Sequence, residues 1–96
     1  MGQVKPFNSV NASLPGFVRS FKKISDRQMV IDAMADLLLD PLPMRLDFKK
    51  LKGYKNPNIY TVTICGNHAY KLSLEIKDEV AILRRVATHK QIDDNP

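Results

Sequence analysis

The spacing of the apolar residues changes once along the chain, and this change limits the fold more than any other feature. Between residues 14 and 38, apolar side chains recur every three to four positions, as on a helix with one buried face. From residue 59 they alternate with polar side chains, as on a strand with one buried face. A chain with helices first and strands afterwards is expected to adopt an α+β fold.

Two amphipathic helices are predicted before the prolines Pro41 and Pro43. In "SLPGFVRSFKKI", the first apolar face contains Leu14, Phe17, Val18, Phe21 and Ile24. In the second helix, Ser25 followed by Gln28 has the spacing of a capping box, and Pro41 is expected to end the helix. Its apolar stripe contains Val30, Met34, Leu37 and Leu38. The two helices are expected to form a hairpin.

Three strands are predicted after the helices. "NIYTVTIC" and "AYKLSLEI" alternate in polarity, whereas "VAILRRV" is more uniformly apolar and is expected to be buried on both faces. "GNH" and "KDE" are predicted as the hairpin connections, and "KPFNSV" is a candidate for one further strand. We therefore expect two N-terminal helices packed on a small antiparallel sheet of three to four strands. A single domain is expected to span residues 1–96, with a flexible tail at 90–96.

The composition argues against several classes of protein. Apolar residues make up 44% of the chain, and no apolar run approaches the roughly 18 to 20 residues of a membrane-spanning helix, so no membrane association is expected. The first ten residues contain no signal-peptide core, and the single Cys65 cannot form an internal disulfide, which together predict a cytoplasmic protein. No glycine-rich phosphate loop, Cys-x-x-Cys motif or histidine pair at metal spacing is present, so neither a cofactor nor a metal is expected.

Positive charge is concentrated in one segment of a chain whose net charge is +5. "MRLDFKKLKGYK" contains Arg45, Lys49, Lys50, Lys52 and Lys55 against the single acid Asp47. Its apolar residues are Leu46, Phe48, Leu51 and Tyr54. Such a segment attracts phosphate or an acidic amphipathic segment of a partner protein. The alternative is a solvated, lysine-rich loop.

Polar residues form a stripe along one face of the predicted sheet. The stripe contains Thr61, Thr63, Lys71, Ser73 and Arg85, with His89 beyond its edge. An exposed face of this kind can bind a sugar-phosphate backbone through its cations, and a histidine can exchange protons near neutral pH. The alternative is an antiparallel sheet whose outer face is polar because it meets water.

The order of elements and two long segments resemble a known family. "LDFKKLKGYKNPNIYTVTI" and "GNHAYKLSLEIKDEVAILRRVATHKQI" are similar to the RelE/ParE superfamily of small bacterial toxins, and the resemblance covers nearly the whole chain. It implies a type II toxin that cleaves messenger RNA on the ribosome. Lys71 takes the place of the family arginine that binds the scissile phosphate. His89, in "VATHKQI", falls where YafQ-like members have a catalytic histidine.

The resemblance also implies a set of site residues and partners. The candidate catalytic residues are His89, Lys71 and His68. The candidate RNA-binding residues are Lys49, Lys50, Lys52, Lys55, Thr61, Thr63, Arg85 and Lys90. The implied partners are a small acidic antitoxin, the ribosome and mRNA, and one implied assembly is a heterotetramer with the antitoxin.

Three residues depart from the family pattern. Thr61 and Thr63 stand where the RelE branch has two lysines, and Asp93 stands where an aromatic ring would stack on a base. The ParE branch, which inhibits DNA gyrase by protein binding, shares the fold and lacks the nuclease residues. The sequence therefore leaves two alternatives to a nuclease open, which are a ParE-like toxin and an inactive remnant that binds an antitoxin.

Overall fold

The computed structural model describes residues 7–39, 42–54, 58–64 and 70–96. In chain order, its elements are β1 (Ser9–Asn11), α1 (Pro15–Lys22), α2 (Arg27–Asp36), a short 3₁₀ turn (Met44–Leu46), β2 (Lys49–Lys50), β3 (Tyr60–Thr63), β4 (Tyr70–Lys77), β5 (Val80–Thr88) and α3 (His89–Asp94). Within these residues no helix is long and apolar enough to span a membrane.

The strands form one mixed sheet in the order β1-β5-β4-β3-β2. Neighbours from β2 to β5 are antiparallel, whereas β1 runs parallel to β5 with Ser9 opposite Val80. The α+β class is as predicted, but the described residues contain five strands instead of three or four. β2 was missed because two residues are too few to show an alternating pattern.

The core lies between the helices and one face of the sheet. β5 occupies an interior position in the sheet, and none of its residues is exposed, as its uniformly apolar sequence predicted. The buried cluster contains Phe7, Phe17, Ile24, Val30, Ala33, Leu37, Leu46, Val62, Ile64, Leu72, Leu74, Ala81, Leu83 and Val86. The helical and alternating patterns thus identified many of the residues that meet in the core, but not Phe7, Ala33 or Leu46.

The second helix begins one residue later than the sequence predicted. Asp26 is the N-cap, and its carboxylate accepts a hydrogen bond from the backbone N–H of Met29 at 3.4 Å. The expected capping box of Ser25 and Gln28 is therefore wrong, because the carboxylate of Asp26, one residue later, accepts from the free N–H. The helix ends at Asp36, and the predicted stop at Pro41 lies outside the described residues.

The connection between β4 and β5 is a tight two-residue turn. Asp78 and Glu79 both have positive φ angles, of 52° and 63°, as in the turns whose twist matches that of a hairpin. Asn8 stabilises this turn, since its backbone N–H donates to the Glu79 carbonyl at 2.7 Å and its side-chain amide donates to the Glu79 carboxylate at 3.1 Å. The "KDE" prediction therefore placed the turn correctly, whereas "GNH" lies outside the described residues.

A third helix covers most of the segment that was expected to be a flexible tail. Thr88 and Gln91 form a capping box at the start of α3, and the side chain of Ile92 is fully buried. The helix packs on β4 and β5. The sequence signal for this helix was present in "THKQI", where threonine precedes glutamine by three positions.

Candidate functional site

Helix α3 lies over the sheet face that was predicted to be exposed. The Nζ atom of Lys71 on β4 forms an ion pair with Oδ1 of Asp93 at 3.2 Å. Arg85 on β5 donates from Nη1 to the backbone carbonyl of Asn95 at 2.7 Å. Both cations belong to the predicted polar stripe, so these contacts attach the C-terminal residues to that face.

Three other members of the stripe are buried. Thr61, Thr63 and Ser73 are 2%, 8% and 0% exposed, so the expectation that they face solvent is wrong. Ser73 satisfies its hydroxyl by donating to the Arg85 carbonyl at 3.4 Å. Ile92 of α3, a helix that packs on β4 and β5, is buried as well. In this arrangement Thr61 and Thr63 do not present their hydroxyls to solvent.

His89 is the first residue of α3, immediately after the last residue of β5. Its Nε2 atom is buried and has no hydrogen-bond partner among the described residues, a property that it shares with Nε of Arg84. Buried polar atoms are normally hydrogen-bonded, and an exception needs an explanation such as a catalytic role or a missing ligand. His68, the other candidate histidine, lies outside the described residues.

The candidate phosphate-binding residue, Lys71, is engaged by the protein itself. Its side chain is 15% exposed, whereas the side chain of its partner Asp93 is 50% exposed. A carboxylate at position 93 repels a phosphate group, because both are negatively charged. In the structure this carboxylate forms an ion pair with the ammonium group that a phosphate would bind.

The basic segment is exposed, but part of its charge is paired. Lys49 forms an ion pair with Asp47 at 3.1 Å, and Arg45 forms one with Asp36 at 3.0 Å. Lys50 and Lys52 are exposed on and after the edge strand β2, and Lys55 lies outside the described residues. Lysines on an edge strand also discourage pairing with another chain, which is the alternative explanation for them.

The apolar residues beside this charge are less available than the sequence predicted. Leu46 is fully buried, and the ring of Phe48 stacks on Tyr60 with the centroids 5.3 Å apart. The apolar residues of the basic segment were expected to contact a partner. This expectation is wrong for Leu46, because its side chain is part of the core. Leu51 and Tyr54 remain half-buried and line a shallow cleft of about 270 Å³.

The sheet brings some of the candidate residues together and separates others. Lys71 lies opposite Ala87, two positions before His89, so both candidate catalytic residues belong to the C-terminal end of β5 and its strand partner. The exposed Lys90 follows on α3. The lysines of β2 lie two strands away from β4, at the sheet edge. Among the described residues no group of His, Cys, Asp and Glu side chains is arranged to hold a metal ion.

A basic cleft that no sequence pattern predicted lies beside this site. Arg19 of α1, Lys23 at the C-terminal cap of α1 and Arg85 of β5 line this cleft of about 500 Å³ between α1, the end of β5 and α3. In the sequence, Arg19 and Lys23 lie on the face of the first predicted helix opposite its apolar residues. The helical period shows that Arg19 and Lys23 share a face, but it does not show that β5 adds a third cation to it.

A solved structure has a fold similar to that of this chain. No family model matches this chain, and no curated protein matches it. Among solved structures, the chain is similar to a chain in the crystal structure of the RelB-RelE antitoxin-toxin complex from Methanococcus jannaschii, with a TM-score of 0.64 and 26% sequence identity. The match covers 92% of this chain and 99% of that chain. The fold is therefore RelE-like.

Proposed function

We propose that this chain is the toxin of a type II toxin–antitoxin system and that it cleaves messenger RNA on the ribosome. The observation that carries the proposal is the buried Nε2 of His89, which has no hydrogen-bond partner among the described residues. His89 lies two positions beyond the strand partner of Lys71, at the end of the last strand of a RelE-like fold. The Thr-His sequence, which resembles that of YafQ-like members, supports the same role for His89. The proposed location is the cytoplasm.

The proposed reaction is an internal transesterification. The 2′-hydroxyl oxygen of the transcript attacks the adjacent phosphorus, a proton leaves that hydroxyl, and the bond from phosphorus to the 5′-oxygen breaks. The products are a 2′,3′-cyclic phosphate and a 5′-hydroxyl, which takes up a proton. His89 acts as the acid or the base, and Lys71 stabilises the negative charge that develops on the phosphate.

In this mechanism the substrate competes with Asp93. The phosphate can reach the ammonium group of Lys71 only when the 3.2 Å ion pair with Asp93 opens. The exchange replaces a carboxylate by a phosphate on the same cation, so its net electrostatic cost is small compared with leaving a charge unpaired. In the absence of substrate, Asp93 therefore takes the place of the phosphate on Lys71.

The proposed partner is a small acidic antitoxin. The similar solved structure is an antitoxin-toxin complex, and this supports the proposal for the present chain. The exposed lysines of the basic segment and the net charge of +5 of the whole chain are suited to such a partner. The proposed assembly is a heterotetramer of the toxin and antitoxin.

The test of the proposal is the order of events after expression in a bacterial host. We expect labelled amino-acid incorporation to fall before DNA synthesis falls, and primer extension to reveal cut transcripts. His89→Ala is expected to lower the cleavage rate roughly 100-fold to 10,000-fold, because it removes a general acid or base. Asp94→Asn, at an exposed position of the same helix, is the control for folding. A folded His89→Ala protein with full cleavage activity would contradict the proposal.

A ParE-like toxin that binds DNA gyrase is the second candidate. The observations that favour it are the burial of Thr61 and Thr63 where the RelE branch has lysines, and the pairing of Lys71 with Asp93. In that case DNA synthesis stops first and transcripts stay intact. A chain that affects neither process but binds an antitoxin would be the inactive remnant.

A further inference from the structure

The cleft between α1, β5 and α3 has a well-fixed wall on the side of α1. The hydroxyl of Ser20 accepts a hydrogen bond from the backbone N–H of Val86 at 3.1 Å and donates to the carbonyl of Phe17 at 3.0 Å. At Gly16 a Cβ atom would lie 3.1 Å from the carbonyl of Arg84, so the helix approaches the strand closely there. These contacts hold α1 against the part of β5 that lies beyond the end of β1.

The charge of the cleft has one sign. Arg19 lies on α1, Lys23 lies at the C-terminal cap of α1, and Arg85 lies on β5. None of the described residues that line the cleft carries a carboxylate. Arg85 is oriented by its 2.7 Å hydrogen bond to the Asn95 carbonyl, while Arg19 and Lys23 are exposed. Cations contributed by two separate elements around one concavity attract an extended anion.

The remaining lining suits a nucleic-acid strand. The ring of Tyr70 and the side chains of Thr88 and Gln91 border the same cleft. Aromatic rings stack on bases of any sequence, and polar side chains donate to phosphate and sugar oxygens. Tyr70 is half-buried against the core, which fixes its position at the cleft. An acidic peptide would use the cations but has no general use for an aromatic residue beside them.

We propose that this cleft binds the phosphodiester backbone of single-stranded nucleic acid, at a site separate from Lys71 and His89. Arg19, Lys23 and Arg85 contact the phosphates. Thr88 lines the cleft, and the next residue is His89, so a strand held there continues toward the candidate catalytic residues. The inference rests on the proposed function in its choice of nucleic acid as the ligand, but it does not require cleavage.

The test measures binding of an uncleavable strand. A fluorescein-labelled DNA single strand of about 12 nucleotides lacks the 2′-hydroxyl, and its length covers a typical single-strand site. Fluorescence anisotropy is recorded over a series of salt concentrations. Arg19→Glu/Lys23→Glu is expected to weaken binding about tenfold or more and to lower the salt slope by about 2, because each lost phosphate contact lowers it by about 1.

The matched control is Lys22→Glu/Lys77→Glu. Each substitution lowers the net charge by two, so both double variants change it from +5 to +1. Lys22 and Lys77 are exposed and do not line the cleft. Arg19→Gln/Lys23→Gln, which introduces no acid, guards against misfolding and is expected to lower the salt slope similarly with a smaller loss of affinity. Equal losses in the cleft and control variants would overturn the inference.

Two further outcomes separate this inference from its alternatives. If a glutamate peptide of about 12 residues binds as tightly as the DNA strand and loses affinity in the same variant, the cleft is a site for an acidic protein and the inference is wrong. If the protein cleaves transcripts but substitution of Arg19 and Lys23 does not change its DNA binding, the proposed function is correct and the inference about the cleft is wrong. A protein that binds through the cleft but leaves translation intact retains the site without the proposed function.

Discussion

The ion pair between Lys71 and Asp93 places a carboxylate where the proposed reaction needs a phosphate. Asp93 is half exposed, so water screens the pair and its contribution to folding is small, roughly 1 kcal/mol or less. Its effect on substrate binding is more direct, because the two anions compete for one ammonium group. A residue that adds little to stability can therefore influence activity.

Removing the Asp93 charge is expected to raise activity. Asp93→Asn should increase the cleavage rate at low substrate concentration about twofold to fivefold, since exposed ion pairs contribute roughly 0.3 to 1 kcal/mol. The measurement is single-turnover cleavage of a labelled transcript in a translation extract. Asp94→Asn removes the same charge from the neighbouring exposed residue and is the control. If both variants accelerate cleavage equally, the effect is one of net charge and not of the pair.

Among the elements, α3 depends most on local signals. It has six residues, too few for a helix to be stable on its own, so it relies on the capping box of Thr88 and Gln91 and on burial of Ile92. Loosening this helix would uncover the parts of β4 and β5 on which it packs, including the Lys71 side chain that pairs with Asp93. The stability of α3 therefore determines how exposed this part of the sheet is.

Loss of the α3 cap should destabilise the protein, whereas loss of the predicted α2 cap should not. Thr88→Ala is expected to lower the free energy of unfolding by about 1 kcal/mol, because it removes the N-cap hydroxyl. Ser25→Ala should change it by less than about 0.5 kcal/mol, because Asp26 is the N-cap of α2. Urea unfolding followed by circular dichroism measures both. Equal effects would mean that the capping assignments are wrong.

The elements that the sequence predicted well are those whose pattern is local. The helical period of α1 and the uniformly apolar β5 are visible within a few residues of the chain. The parallel pairing of β1 with β5 joins residues far apart in sequence, so no local pattern predicts it. The alternating pattern is local, so it assigned the polar stripe to one face of the sheet correctly. It did not predict that α3 packs on this face, because this packing depends on the contact of Lys71 with the distant residue Asp93.

At the scale of the whole molecule, cations lie on two separate surfaces. The lysines of β2 lie at one edge of the sheet, whereas the cleft that contains Arg19 and Lys23 lies beyond β4, at the end of β5. Two basic surfaces allow the protein to contact two anionic partners without direct competition. We infer that the β2 edge is the surface that steers the proposed antitoxin.

The association rate with the antitoxin should depend on the basic segment. Charge reversal at Lys49, Lys50 and Lys52 is expected to slow association about tenfold or more at low salt, because exposed charges steer the encounter of the two proteins. The melting temperature should change little, since these side chains are exposed. Stopped-flow kinetics over a salt series measures the rate. Reversal of three exposed cations elsewhere, Lys22, Arg27 and Lys77, is the control, and equal slowing would indicate that only net charge matters.

The parallel pairing of β1 with β5 also affects how the protein is made. β1 leaves the ribosome early, but its partner strand follows about 70 residues later, as the separation of 71 positions between Asn8 and Glu79 shows. The sheet cannot close, and Lys71 and His89 cannot meet, until nearly all of the described chain has been synthesised. A nascent chain therefore lacks the assembled site while the ribosome that is making it is still translating its message.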